Sequence, residues 1–207
     1  MKKILLINTH MFSGGDGLYW SLASNPHIQG CKHLGERSYS SNMDLYVTSK
    51  IKHKSSSKKS FYAETVEFSH LLSTKIDYSK FIVINFVREP KETLESIFHF
   101  KKLQPIFALR HYQYRLNRIY QISKVAKKSV FLNFNSSKEF MIKSIEKLTG
   151  LVIDMKENQF DVFKKGFKRD TIPKEYLEEG ERCYERYHYL LKESCSDHSE
   201  ESLLFRN

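Results

Sequence analysis

Two segments of this chain combine residue types that handle anions. The first, Thr9–Gly17, reads THMFSGGDG and holds three glycines. Glycines let backbone N–H groups approach an anion, and a helix starting just after such a loop adds partial positive charge. Ser13, Gly14 and Gly15 are therefore candidates to contact a phosphate or sulfate. His10 lies in the same loop and, if protonated, could donate to such an anion or move a proton. The loop lacks the GxxxxGK(S/T) pattern, with no Lys to reach phosphates and no hydroxyl for magnesium, and it is not GxGxxG. A plain strand-to-helix turn is the alternative. The second segment reads VREPKETLES, with Ser96 eight residues after Arg88. An arginine can fork onto a phosphate, and a serine can add a hydroxyl donor. The plain alternative is an ion pair from Arg88 to Glu92 or Glu95.

These residues need a scaffold, and the hydrophobic pattern supplies one. Lys2–Asn8 is a short apolar run of the kind that forms a buried strand, followed by the glycine loop and a helix over Leu18–Ser24. Strand, glycine loop and helix in that order open an α/β fold with a parallel sheet. Phe81–Val87 (FIVINFV) predicts a central strand ended by Arg88-Glu89-Pro90. Pro90 suits a first helical position, and Lys91–Lys102 is amphipathic. A long helix follows over about 106–127, with Leu109, Tyr112, Leu116, Ile119 and Ile122 at helical spacing. Val130–Phe134 is a strand, Ser136–Thr149 a helix closed by Gly150, and Tyr176–Lys192 a last helix. Residues 44–53 are a weaker strand candidate, and 50–60 read as a Lys/Ser-rich loop. In such folds ligands bind at the C-terminal edge of the sheet, where the glycine loop and Arg88 both fall.

With its elements placed, the chain resembles the sulfotransferases that use 3′-phosphoadenosine 5′-phosphosulfate (PAPS). That family carries a strand, then Arg-Asp/Glu-Pro, then a Ser eight residues after the Arg, and Arg88-Glu89-Pro90 with Ser96 is similar. Its first strand leads into a loop of the type Thr-x-Pro-Lys/Arg-Ser-Gly-Ser/Thr-Thr, which Thr9, Ser13 and Gly14 resemble. Its later aromatic, basic pair and Gly resemble Phe163-Lys164-Lys165-Gly166. The resemblance spans about residues 1–190. It implies a single three-layer α/β domain over 1–192, with a mostly parallel sheet flanked by helices and a P-loop NTPase-like arrangement. It further implies PAPS as cofactor, with Arg88, Ser96, Lys164, Lys165 and Gly166 on the 3′-phosphate and Ser13, Gly14 and Gly15 near the 5′-phosphosulfate. The family's base is commonly a His ending a Lys-x-His strand; residues 50–53 (KIKH) resemble this, which makes His53 the candidate base and Lys50 or Lys52 a substitute cation. The reaction implied is sulfuryl transfer to an acceptor hydroxyl, without a metal. Two positions depart from the family. Phe12 stands where a Lys or Arg stabilises the phosphosulfate, and Asp16 stands where a hydroxyl is expected. Binding without turnover, of a nucleotide or a sulfated polymer, is thus a rival function.

Charge and composition fit an anionic ligand. The 207 residues carry a formal net charge of +10. Residues 1–169 hold 29 Lys/Arg against 14 Asp/Glu, and residues 170–207 hold 5 against 10, so the basic body ends in an acidic segment. A cluster of lysines over 50–59 favours an acidic acceptor. Arg110, Arg115 and Arg118 with His111 and Tyr114 decorate the long helix, which allows a nucleic-acid track but reads more simply as the wet face of that helix. The missing Walker Lys counts against a nucleotide kinase. Cys31, Cys183 and Cys195 lie far apart and exclude a disulfide framework or a zinc site. No apolar run reaches the roughly 18 residues of a membrane span, and no signal sequence is visible, so a cytoplasmic location is the default. Residues 193–207 read as a flexible tail.

Overall fold

The computed structural model describes residues 3–30, 61–66, 78, 81–154 and 171–195. Within them the chain forms β1 (Lys3–Thr9), α1 (Gly15–Ala23), β2 (Ile28–Gly30), β3 (Phe61–Val66), β4 (Phe81–Val87), α2 (Pro90–Lys101), α3 (Pro105–Val125), β5 (Ser129–Asn133), α4 (Lys138–Thr149) and α5 (Lys174–Ser194). The strands make one sheet in the order β2-β3-β1-β4-β5, and every pairing is parallel. In β4 all seven residues are buried, as its unbroken apolar run demands of a strand covered on both faces.

Side chains alternate across the sheet. Ile82, Ile84 and Phe86 join Leu5 and Ile7 in a core with α1 residues Leu18 and Leu22 and α4 residues Met141 and Ile145. Val87 and Phe131 join another core with Leu94 and Ile97 of α2, Leu116 and Ile119 of α3 and Leu191 of α5. Helices thus flank the parallel sheet. Among the described residues no helix is long and apolar enough to cross a membrane.

Several boundaries move from the sequence expectation, each for a local reason. The first helix begins at Gly15 rather than Leu18, because Gly17 and Leu18 both donate their N–H to the Gly14 carbonyl at 3.0 and 3.4 Å. Three poor helix formers therefore make the first turn, and the loop shrinks to residues 10–14. Pro90 does open α2, and the Ser137 hydroxyl caps α4 by accepting from the Phe140 N–H at 3.1 Å. Gly150 closes α4 at φ 71°. The last helix runs to Ser194, so residues 193 and 194 belong to it and not to a tail. β2 and β3 were not foreseen; β2 has only three residues, too few for a periodic signal. The strand expected at 44–53, the lysine cluster over 50–59 and residues from 196 onward lie outside the described residues.

Arg115 corrects a second expectation. It does not lie on a wet face: it is 1% exposed, while Arg110 and Tyr114 are exposed. Three residues after Tyr112 and one before Leu116, it falls on the stripe that α3 turns to the core.

Candidate functional site

The strand order fixes where a site can form. From β1 the chain leaves toward β2 and β3 on one side, and β4 pairs with β1 on the other. The crevice at the C-terminal ends of β1 and β4 is the switch point where open parallel sheets bind ligands. The glycine loop and Arg88 both sit there, at the ends of those two strands.

The loop is tied to β4 by side chains. The Thr9 hydroxyl donates to the Phe86 carbonyl at 2.7 Å, so the Ser13 hydroxyl donates to Thr9 Oγ1 in the short contact between them. Ser13 Oγ also accepts from the Gly15 N–H at 3.2 Å. Ser13 is buried and spends its hydroxyl on bracing the loop. Gly14 takes φ 87°, and a Cβ there would stand 2.5 Å from Cε2 of Phe134. A Cβ on Gly15 would stand 2.7 Å from Cγ2 of Thr9. Both glycines are thus required by packing as well as by any anion.

His10 clasps the loop to the residue after β4. Its Nδ1–H donates to the Met11 carbonyl at 3.0 Å, and its Nε2 accepts the Arg88 backbone N–H at 3.0 Å. Those partners fix the neutral tautomer. Burial pushes its pKa down to about 4; the Met11 bond opposes this, while Arg115, His111 and Arg88 add to it. The expectation that a protonated His10 donates to phosphate therefore fails: the ring is neutral, and both nitrogens are committed. Tyr112 completes the clasp, with its ring set edge-on to His10 at 5.3 Å between ring centres and its hydroxyl donating to the Arg88 carbonyl at 2.9 Å.

Arg88 is 8% exposed, with its guanidinium carbon 4.2 Å from the centre of the Phe134 ring. Its Nη1 donates to the Phe12 carbonyl at 3.4 Å, and its Nη2 pairs with the Glu92 carboxylate. This is the ion pair that the sequence offered as the plain alternative. Ser96 is buried on α2, and its hydroxyl donates to the Glu92 carbonyl at 2.6 Å. Arg88 and Ser96 thus both converge on Glu92. Phe12 has φ 58° and stacks on Phe100 at 5.6 Å, so its side chain brings no charge to the loop. Asp16 lies in the first turn of α1, where the helix dipole favours a carboxylate.

The structure therefore gathers His10, Ser13, Gly14, Gly15 and Arg88 at one sheet edge, with Ser96 on the adjoining helix. Lys52, His53, Lys164, Lys165 and Gly166 lie outside the described residues. Sequence reading missed Phe134, the platform under Arg88, which it counted as the last residue of a strand. It also missed Tyr112 as a site residue and Arg115 as a buried cation. The helical stripe through Leu109, Tyr112 and Leu116 carries the signal for both. Chemically, the edge offers a helix N-terminus, a glycine-lined loop and a buried guanidinium, which suit an oxyanion.

No protein-family model matches the chain, and no curated protein matches it. Among solved structures, a mouse sulfotransferase, SULT7A1, complexed with PAP is similar, with 16% identity and a TM-score of 0.47 over 98% of this chain and 87% of that one.

Proposed function

We propose that this chain is a sulfotransferase-like protein with a P-loop-like, three-layer α/β domain. It binds 3′-phosphoadenosine 5′-phosphosulfate at the edge between β1 and β4 and transfers the sulfuryl group to an acceptor hydroxyl. The observation that carries the reading is the lock between the glycine loop and Arg88 at the switch point, made by the His10 clasp and the Phe12 carbonyl. It brings the two motifs of the resemblance together. In this reading Arg88 and Ser96, with Lys164, Lys165 and Gly166, hold the 3′-phosphate, and Arg88 exchanges Glu92 for that phosphate. The loop backbone at Ser13, Gly14 and Gly15 and the start of α1 face the 5′-phosphosulfate. His53 takes the acceptor proton, and Lys52 stands in for the cation that Phe12 lacks. The acceptor is an acidic molecule.

The fit is uneven, and that favours a second reading. The 3′-phosphate end has a buried guanidinium, now paired with Glu92. The reactive end has Phe12 stacked away on Phe100, and Asp16 at the start of α1 competes with an anion there. A protein that binds the nucleotide without turning it over satisfies these facts.

Thermal unfolding with 3′-phosphoadenosine 5′-phosphate, ATP or single-stranded RNA tests the binding. At about 100 times its dissociation constant, the bisphosphate should add about 2.7 kcal/mol of stability. Arg88→Ala should abolish that gain. A gain from ATP with none from the bisphosphate would overturn the proposal. Transfer of radiolabelled sulfate from the donor to a panel of hydroxyl acceptors then separates the two readings, since binding without transfer selects the second.

A further inference from the structure

Arg88 holds an anion that belongs to the chain itself, and the way it is held points to a use. The guanidinium lies over the buried Phe134 ring, 4.2 Å from its centre. Its Nη1 is tied to the glycine loop through the Phe12 carbonyl, and its Nη2 pairs with the Glu92 carboxylate. Phe134 is packed in the core and the loop is locked to β4, whereas the Glu92 side chain is 50% exposed. Of these partners Glu92 is the one that faces water, so it is the one an incoming anion meets. Glu92 also lies in the first turn of α2, where the helix dipole favours a negative charge. Its backbone carbonyl accepts the Ser96 hydroxyl at 2.6 Å. Both groups read above as holding the 3′-phosphate, Arg88 and Ser96, therefore bond this one residue. The carboxylate can leave Arg88 by rotation of its own side chain, with α2 and the loop staying in place.

We propose that Glu92 is a specificity-determining residue: a tethered anion on Arg88 that a ligand must displace, and that sets which anions bind there and how tightly. This inference rests on the nucleotide-binding reading above. A phosphate monoester carries a charge of about −1.5 to −2 near pH 7 and offers three strong acceptor oxygens. It gains more from the guanidinium fork than the singly charged carboxylate gives up. A sulfate ester, also singly charged, gains no such advantage, and a bare ribose hydroxyl does not displace Glu92 at all. The ligand class selected is thus a nucleotide with a phosphate monoester at this end. Once displaced, Glu92 stays close as a like charge, so it weakens every anion that reaches Arg88.

The test measures binding of 3′-phosphoadenosine 5′-phosphate, and of adenosine 5′-monophosphate, which lacks the 3′-phosphate, to the full chain, Glu92→Gln and Glu92→Ala. Both variants should bind the bisphosphate about three- to tenfold more tightly, as expected when one partner of a partly buried ion pair is removed. Neither should change binding of the monophosphate. Thermal midpoints without ligand should fall or stay level, because an ion pair and a favourable dipole contact are lost. A merely structural role for Glu92 would not raise affinity while stability falls, nor raise it for one nucleotide alone. The carboxylate is half exposed, so both variants should fold; if one does not, the other carries the test. Bisphosphate binding that is unchanged or weaker in the variants overturns the inference while leaving the function reading standing. An equal gain for the monophosphate also overturns it, because it would mark a general effect of charge. Bisphosphate binding by the variants but not by the parent supports both, as the extreme of the same effect. Absence of bisphosphate binding in the parent and in both variants overturns both.

Discussion

At the scale of single residues, the site is built from groups whose first task is to hold one another. His10 is the clearest case. Its imidazole is neutral because burial disfavours the charged form and because Nε2 is occupied by the Arg88 N–H. The folded pKa of about 4 lies below the ordinary histidine value of 6.5. Above pH 6.5 both folded and unfolded chains are neutral at this ring. As the pH falls toward 4 the unfolded chain gains a proton that the folded chain refuses, so stability drops, by roughly 3 kcal/mol in all. Urea denaturation between pH 7.5 and 4.5 should show that slope, and His10→Gln should flatten it. Identical slopes in the two proteins would refute a buried neutral imidazole. Gly14 makes a second point at this scale. Gly14→Ala meets both φ 87° and the Phe134 ring at 2.5 Å. It should cost about 2–4 kcal/mol in chemical denaturation. It should also disturb Arg88, which rests on that ring. An alanine variant as stable as the parent would mean that the loop adjusts freely.

At the scale of elements, β4 and α2 were legible because each carries a strong local signal. β4 is an unbroken apolar run, and α2 opens on a proline with an apolar stripe behind it. The start of α1 was not legible, because Gly15-Asp16-Gly17 has low helix propensity and only the Gly14 carbonyl and the surrounding core make it helical. β2 was too short to read. The crossing of α5 over α2 gives a prediction of its own. Gly180 is buried on α5, and a Cβ there would lie 2.8 Å from Cδ1 of Leu94 and 3.2 Å from Cβ of Pro90. A larger side chain must push α5 off the start of α2. Gly180→Val should lose about 1–3 kcal/mol despite removing a helix glycine. Thermal unfolding checks this, and a rise in stability would show that the two helices are not held at that distance.

At the scale of the molecule, the acidic C-terminal segment has a structural use separate from the proposed ligand site. α5 carries Leu191 into the core shared with α2 and α3, and Cys195 just beyond it accepts a hydrogen bond from Asn85 in the middle of the sheet at 3.6 Å. The helix is therefore part of the fold although its composition sets it apart. A chain cut after residue 170 should lose its cooperative thermal transition, because the core between the sheet and α2 and α3 is left open. Retention of a sharp transition would make α5 an appendage.

The amino-acid sequence by itself determined the strand and helix types over most of the described chain. It also determined that a glycine loop and an arginine both end strands, since periodicity, proline and glycine act over a few residues. Only the tertiary structure decided how those ends meet. The parallel order β3-β1-β4 puts the loop beside Arg88, turns His10 into a neutral clasp and buries Arg115. The physical reason is that ionisation and hydrogen bonding depend on burial and on neighbours distant in the chain. Asn8 and Asn85, bonded across 77 positions, have no local signal that would join them.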